Sequence, residues 1–351
     1  TNSQILLYVG PEATYNTNAK VVSVEKNIIS PFIDAMDKSL ATQKAILAGS
    51  LTWQAFADFD TAATNKNQIN SLVLAKVPYT AFVDKNSKDY KLYEALEEKY
   101  SNALPGTPEK EIFNKISSLG KNEEFTLHKA FKGMAGNQYA GVQTRAASSA
   151  DVFAREFDDL MRWDTNSTDT TKFKAFGHSI ERKAREIGLY GFDKDVYGVF
   201  VLNNHDLDLD ENSHGWFAGI AHETYDFKDA GDSEEKALTA QIGYYINNAL
   251  ELGDRPFTNH LAKIALNGSY REMERNFYVN NQKYTAKGDY YTYGIEFNNL
   301  LYKDVRFDNG IRVVPYMGLD LAYGKISNIK EDSGPMQLEI DADDYYSIRP
   351  N

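Results

Sequence analysis

The sequence predicts a mainly β chain whose C-terminal half is an antiparallel transmembrane β-barrel. Three observations carry this. The stretch at 311–324, IRVVPYMGLDLAYG, alternates with a period of two. Ile311, Val313, Pro315, Met317, Leu319, Leu321 and Tyr323 form one apolar row, and Arg312, Val314, Tyr316, Gly318, Asp320, Ala322 and Gly324 form the mixed one. A strand sends successive side chains to opposite faces, and a membrane-crossing strand needs about 9–11 residues with an aromatic at the water boundary, where Tyr323 stands. Next, such runs recur after Lys172, separated by polar turns, at 172–183, 195–203, 214–227, 236–248, 258–273, 284–299, 310–324 and 336–349. Finally, no window holds about 18 consecutive apolar residues, which excludes a helical span.

The first 85 residues carry short β-rich blocks, ILLYV, KVVSV, LTWQAF and SLVLAKV, around a helical patch at 32–47. These fit either the edge of a mixed domain or the last turns of a capped β-solenoid. A helix follows with Tyr90, Tyr93, Leu96 and Tyr100 on one stripe. Pro105-Gly106-Thr107-Pro108 interrupts the chain. Thr107 is placed to cap the next helix with Pro108 at its first position, and Gly120 is expected to end it as a left-handed cap. From 122 to 163 the pattern is helical and rich in small residues, among them Gly133, Gly136, Ala140, Gly141, Ala146, Ser149 and Ala150. Each interior glycine costs about 1 kcal/mol against alanine, so they signal close packing or a break. Local sequence alone favours an ordinary amphipathic helix packing through Phe125, Phe131 and Met134.

In the barrel runs, Trp216, Ala218 and Ile220 oppose Gly219, Ala221 and Glu223. Leu238, Ala240, Ile242, Tyr244 and Ile246 oppose Thr239, Gln241, Gly243 and Tyr245. Tyr291, Tyr293, Ile295 and Phe297 oppose Tyr290, Thr292, Gly294 and Glu296. Consecutive runs make an antiparallel meander, and closure removes its edges. A mean hydropathy of -0.51 is compatible, because a barrel strand hides half its residues in a polar lumen. The net charge of -12 disfavours nucleic acid, whose phosphates need cations. The absence of cysteine excludes disulfides and thiolate metal sites.

Chemical motifs are weak. His205–Asn212, HDLDLDEN, starts like a calcium loop, but Glu211 and Phe217 stand where that pattern requires Gly and Glu. Gly177-His178-Ser179 lacks the second glycine of a nucleophile elbow, and His222-Glu223 has no second histidine at zincin spacing. The sequence therefore assigns no catalytic residue, metal ligand or cofactor.

GWFAGIAHETYDFKDAGDSEEKALTAQIGYY and TAKGDYYTYGIEFNNLLYKDVRFDNGIRVVPYMGLDLAYGKISNIKEDSGPMQLEIDADDYYSIRP resemble the translocator barrel of autotransporters, in particular the large fusobacterial-type adhesins. LHKAFKGMAGNQYAGVQTR continues the resemblance upstream. It implies an outer-membrane barrel of twelve strands, about eight of them present here, so that the chain is expected to be a fragment. It also turns the small-residue segment into a helix threading the lumen. On this basis 1–106 is the end of a passenger and its stem, 107–170 the linker helices with the pore helix at 122–163, and 171–351 a partial barrel. Glu223, Gln241, Glu296, Arg312, Tyr316 and Asp320 are expected to line the pore. Gly133, Gly136, Asn137, Gly141 and Arg145 belong to the pore helix, with Lys132 and Arg145 expected to meet acids such as Asp320 or Glu296. The implied partners are outer-membrane lipid, the barrel assembly machinery, periplasmic chaperones, the passenger in cis, and host-cell or bacterial surface ligands reached through the passenger. Other readings are a stand-alone channel, and self-cleavage at Asn137. Some relatives cleave by cyclising an asparagine, but Gln138 follows here in place of their second asparagine.

Overall fold

The alternation read from the sequence becomes a sheet of long antiparallel strands in the computed structural model, which describes residues 6–7, 21–25, 47–59, 69–162, 169–184, 188–206, 212–251, 256–303 and 305–351. Two compact units are present: Thr1–Ala135 with Phe277–Tyr284, and Gly136–Asn276 with Thr285–Asn351. The helical patch expected at 32–47 and most of the acidic turn at 205–212 lie outside the described residues.

In the first unit, β1 (Leu6–Leu7) pairs in parallel with β3 (Leu47–Ala48). Strands β2 (Val21–Glu25), β4 (Trp53–Phe59) and β5 (Ile69–Lys76) form an antiparallel sheet in the order β2-β5-β4. Three helices follow: α1 (Tyr90–Asn102), α2 (Pro108–Ser117) and α3 (Glu124–Met134). Thr107 caps α2 by accepting the Lys110 N–H at 3.3 Å, with Pro108 at the first helical position. The left-handed cap expected at Gly120 is not formed. The helix closes through Ser118, which stays right-handed, and Gly120 instead bridges Ser50.

The core of this unit is aromatic. Tyr79, Tyr93, Tyr100, Phe113 and Phe131 are buried, and Phe131 lies 5.0 Å from Tyr79 and 4.8 Å from Tyr93, edge to face. The Lys76 ammonium sits 3.6 Å from the Tyr79 ring centroid and pairs with Glu97 at 2.5 Å, which compensates its burial. Burial pushes the Tyr93 and Tyr100 phenols up to about 12, so both stay neutral across physiological pH.

The second unit contains α4 (Val142–Met161) and the strands β6 (Asp169–Arg182), β7 (Phe192–Asp206), β8 (Ser213–Phe227), β9 (Glu234–Glu251), β10 (Pro256–Val279) and β11 (Gln282–Tyr302). Beyond them come β12 (Val305–Arg306), β13 (Arg312–Val313), β14 (Tyr316–Ile326), β15 (Ile329–Ser333), β16 (Glu339–Ile340) and β17 (Tyr345–Pro350). Among the described residues ten of these form one sheet in which sequence neighbours pair from β6 to β11, and it is not closed. β14 pairs with the C-terminal half of β11, from Thr292↔Ile326 to Tyr302↔Tyr316, and β17 adds to β14.

The stretch 311–324 is not one strand. Pro315 has no N–H to give a ladder, and the chain breaks there. Arg312–Val313 turn back to pair with Val305–Arg306, and β14 starts at Tyr316.

The expected pore helix is likewise two helices. α3 stops at Met134, and Gly136 takes φ +74, a conformation that costs a side-chain-bearing residue energy, before α4 begins at Val142. The two helices belong to different units.

Candidate functional site

α4 lies in the curve of the sheet. Its contacts come from β6, β7, β8, β9, β10, β11 and β17, and seven strand-to-strand steps laid flat span about 34 Å. A helix is only about 10–12 Å across. One helix can touch all of these strands only if the sheet bends around it.

The pleat separates two environments. On β8, Phe217, Ala221, Glu223 and Tyr225 are buried, while Trp216, Ile220 and His222 point the other way and are exposed. On β9 the outward positions from Leu238 to Ile246 carry no charge over nine residues, and Lys236 and Asn248 bound them. Cross-strand rows continue the apolar surface: Ala218↔Ile242↔Leu266, then Trp216↔Tyr244↔Ile264. Tyr291, Tyr293, Ile295 and Phe297 on β11 and Leu319, Leu321 and Tyr323 on β14 are exposed on the same face. An exposed apolar band of this extent, about one membrane-crossing strand in height, is surface made for lipid.

The inner face is polar at one end of α4 and apolar at the other. The buried side of α4 presents Val142, Arg145, Ala146, Ser149, Ala150, Val152, Phe153, Glu156, Phe157 and Leu160, at the i, i+3, i+4, i+7 spacing of one helix face. Arg145 is 1 % exposed and Glu235 and Arg271 are fully buried. The Arg145 Nε donates to both Glu235 oxygens at 3.0 and 3.1 Å, and its Nη2 reaches Glu235 at 2.8 Å. Arg271 grips the same carboxylate at 2.7 Å, Tyr290 donates to it at 2.6 Å, and the second Arg271 amine reaches Ser149 at 2.9 Å. Ser149 donates to Glu223 at 2.7 Å, and Lys194 closes that group at 3.1 Å. Charges taken this far from water persist only when paired and hydrogen-bonded on several sides.

At the N-terminal approach to α4, Gln138 donates to Asp229 at 2.6 Å and Tyr139 to Glu331 at 3.0 Å. Arg275 holds the same Glu331 at 2.7 and 2.8 Å. At the other end Glu156 meets Lys174 at 2.8 Å and His178 at 2.6 Å, and Lys172 donates to the Leu160 carbonyl at 2.9 Å. Between these polar layers Phe153 stacks 6.1 Å from Phe200, and Phe157 sits 4.9 Å from Phe217 and 5.2 Å from Tyr245. Gly219 makes room for them: a Cβ there would stand 2.7 Å from Phe153 and 2.6 Å from Phe200. Gly219→Val should therefore cost about 1–3 kcal/mol through overpacking, read as a lower denaturant midpoint for release of the helix from the sheet.

Of the residues expected in the lumen, Glu223 and Gln241 are buried on the inner face. Glu296 and Asp320 are half-buried on that face, bonded to Asn267 at 2.6 Å and Asn298 at 2.8 Å. Arg312 is exposed in the β12–β13 hairpin and Tyr316 is exposed at the start of β14, so neither joins the cluster around α4. Of the pore-helix residues, Arg145 is on α4 and Gly141 caps it. Gly136 and Asn137 form the preceding turn, where Asn137 lines a cavity of about 150 Å³ with Gln138, Thr144, Arg145 and Tyr190. Gly133 and Lys132 lie on α3, and Lys132 is exposed. Arg145 meets neither Asp320 nor Glu296; its acid is Glu235.

Glu235, Arg271, Arg275, Glu331 and Lys194 escaped the sequence reading. Glu235 shares the parity of Thr239 and Gln241, one residue before the run was taken to begin. Lys194 likewise precedes its run, and Arg275 follows its own.

Among the described residues no helix is long and apolar enough to cross a membrane and no group of side chains is arranged to hold a metal ion. A search of curated proteins found no match. A family model described as Autotransporter beta-domain matches residues 171–351, all of the curved sheet but the first two residues of β6 and more than half of the chain. With lipid-facing strands wrapped around a helix and this match over the same residues, the chain belongs to the autotransporters, as the outer-membrane translocator of a passenger.

Proposed function

We propose that this chain carries a large adhesin of the fusobacterial type to the cell surface and afterwards holds it there, with α4 as the tether. The buried cluster of Arg145, Glu235 and Arg271 is what carries this reading. A helix locked to the wall by fully buried ion pairs suits an anchor and leaves little room for the stand-alone channel alternative. The stem unit precedes α4 in sequence and stands outside the cell; adhesion itself belongs to passenger residues that bind host or bacterial surfaces. Insertion uses the barrel assembly machinery and periplasmic chaperones. The chain works without catalysis of its own: Asn137 sits in the turn before α4, is followed by Gln138, and bonds the Tyr190 phenol.

Absence of native cysteine makes the topology directly testable. Asn328→Cys, in an exposed turn between β14 and β15, should react with a membrane-impermeant maleimide on intact cells. Asn309→Cys, in the exposed β12–β13 turn, should react only after permeabilisation. The reverse pattern would defeat the proposed orientation.

A further inference from the structure

We infer that the cavity between the first turn of α4 and the end of β6 binds the charged end of a small hydroxylated anion, a sugar phosphate or a sugar acid. All of its lining residues belong to the second unit. Its volume of about 150 Å³ is roughly ten times the space that admits one water. The chain has 50 acidic and 38 basic residues, yet among the described residues no carboxylate lines this cavity, whereas Arg145, Arg182 and Lys183 do.

Three features set the sign of the ligand. Arg182 and Lys183 are exposed, and neither has a partner among the described residues. Arg145 is buried, but Glu235, the carboxylate that answers it, is shared with Arg271. Finally, α4 begins here: Gly141 caps it without a side chain, and its first turn holds no acidic residue. The positive end of a helix attracts anions, and this one borders a cavity with cationic walls. Asp229, which Gln138 bonds at 2.6 Å, is engaged by the Ser233 N–H and hydroxyl at 2.9 and 2.6 Å and does not line the cavity.

The remaining wall asks for more than a bare ion. Gln138 is 1 % exposed, and its side-chain oxygen is buried with no partner among the described residues. The amide nitrogen already donates to Asp229 and, at 3.3 Å, to Ser233, so the oxygen is left to accept. A buried acceptor without a donor costs free energy, which a ligand hydroxyl recovers and a bare anion does not. Asn137 and Thr144 add polar groups, while Tyr190 and Phe192 give the carbon skeleton an aromatic side to rest on. A ligand held by Thr144 and Arg182 together ties the start of the helix to the end of the first long strand.

The test is isothermal titration calorimetry of the full purified chain, folded in detergent, with glucose 6-phosphate, glucose and inorganic phosphate as probes. Glucose 6-phosphate should bind saturably, and glucose and phosphate each about tenfold more weakly, since each lacks one half of the recognised chemistry. Arg182→Ala with Lys183→Ala should weaken glucose 6-phosphate about tenfold. Thr144→Asp should abolish binding, although an acid in the first turn of a helix favours folding. Heat-modifiable migration should be unaltered in both variants. Absence of saturable glucose 6-phosphate binding, or affinity unchanged in folded Thr144→Asp, would overturn the site. Equal affinities for phosphate and glucose 6-phosphate would overturn the sugar ligand.

Discussion

Glu235→Ala should loosen α4 from the sheet by about 3–5 kcal/mol, the largest single effect expected in this chain. The change leaves Arg145 and Arg271 facing each other in a dry site, each deprived of the carboxylate that both now hold at 2.7–2.8 Å. Tyr290 loses its acceptor at the same time. The diagnostic comparison is with the triple change Glu235→Met, Arg145→Met and Arg271→Met. Replacing a whole buried ion group by apolar side chains is often neutral or stabilising, so the triple variant should recover most of what the single one loses. Urea titration of the purified protein, followed by the accessibility of a cysteine placed on α4, measures both. A single variant within about 1 kcal/mol of the unaltered protein would mean that the cluster is wet and exchangeable.

Ile242→Arg should impair insertion by about 2–4 kcal/mol. Ile242 is 58 % exposed, stands midway along the uncharged outward row of β9, and pairs across to Ala218 and Leu266. Leu319→Arg on β14 should act in the same direction. Asp320→Asn, one position away on the other face, should leave insertion nearly unchanged, since its side chain faces away from lipid and accepts hydrogen bonds from Asn298 at 2.8 Å and Asn351 at 2.6 Å, which an amide oxygen can also accept. Folding into lipid vesicles along a denaturant gradient gives the comparison. Equal tolerance of Ile242→Arg and Asp320→Asn would point to a sheet that faces water on both sides.

The faces of the strands were legible because a lipid-facing row must be apolar at every second position. Leu319, Leu321 and Tyr323 could be read against Asp320 without any knowledge of their neighbours. The ends of the strands were not legible in this way. Beyond the apolar row the ladder continues on backbone hydrogen bonds, and the side chains are chosen by what lies across the lumen. Lys194, Glu235 and Arg275 therefore look like turn residues until their partners are known. Pro315 carried a warning that the apolar row around it masked: side-chain alternation continues through a residue that cannot donate to a ladder. The small residues before α4 had two readings, a close approach and a break, and both occur. Gly133 approaches Phe277 closely, and Gly136 turns the chain. Register was beyond the sequence altogether, so the acid that meets Arg145 could not be chosen among several of the right face.

The polar layers along α4 sit at successive heights, from Gln138 and Tyr139 through Arg145 and Ser149 to Glu156 and Leu160. Tension applied to the residues that precede α4 enters it at its N-terminal end and runs along its axis. Bonds arranged in this way are sheared together, whereas bonds across a peeled edge fail one after another. The helix can slide outward only if the charged groups at every level part from their partners in the same movement. In an outer-membrane translocator, that geometry makes the helix and its sheet a joint loaded in parallel.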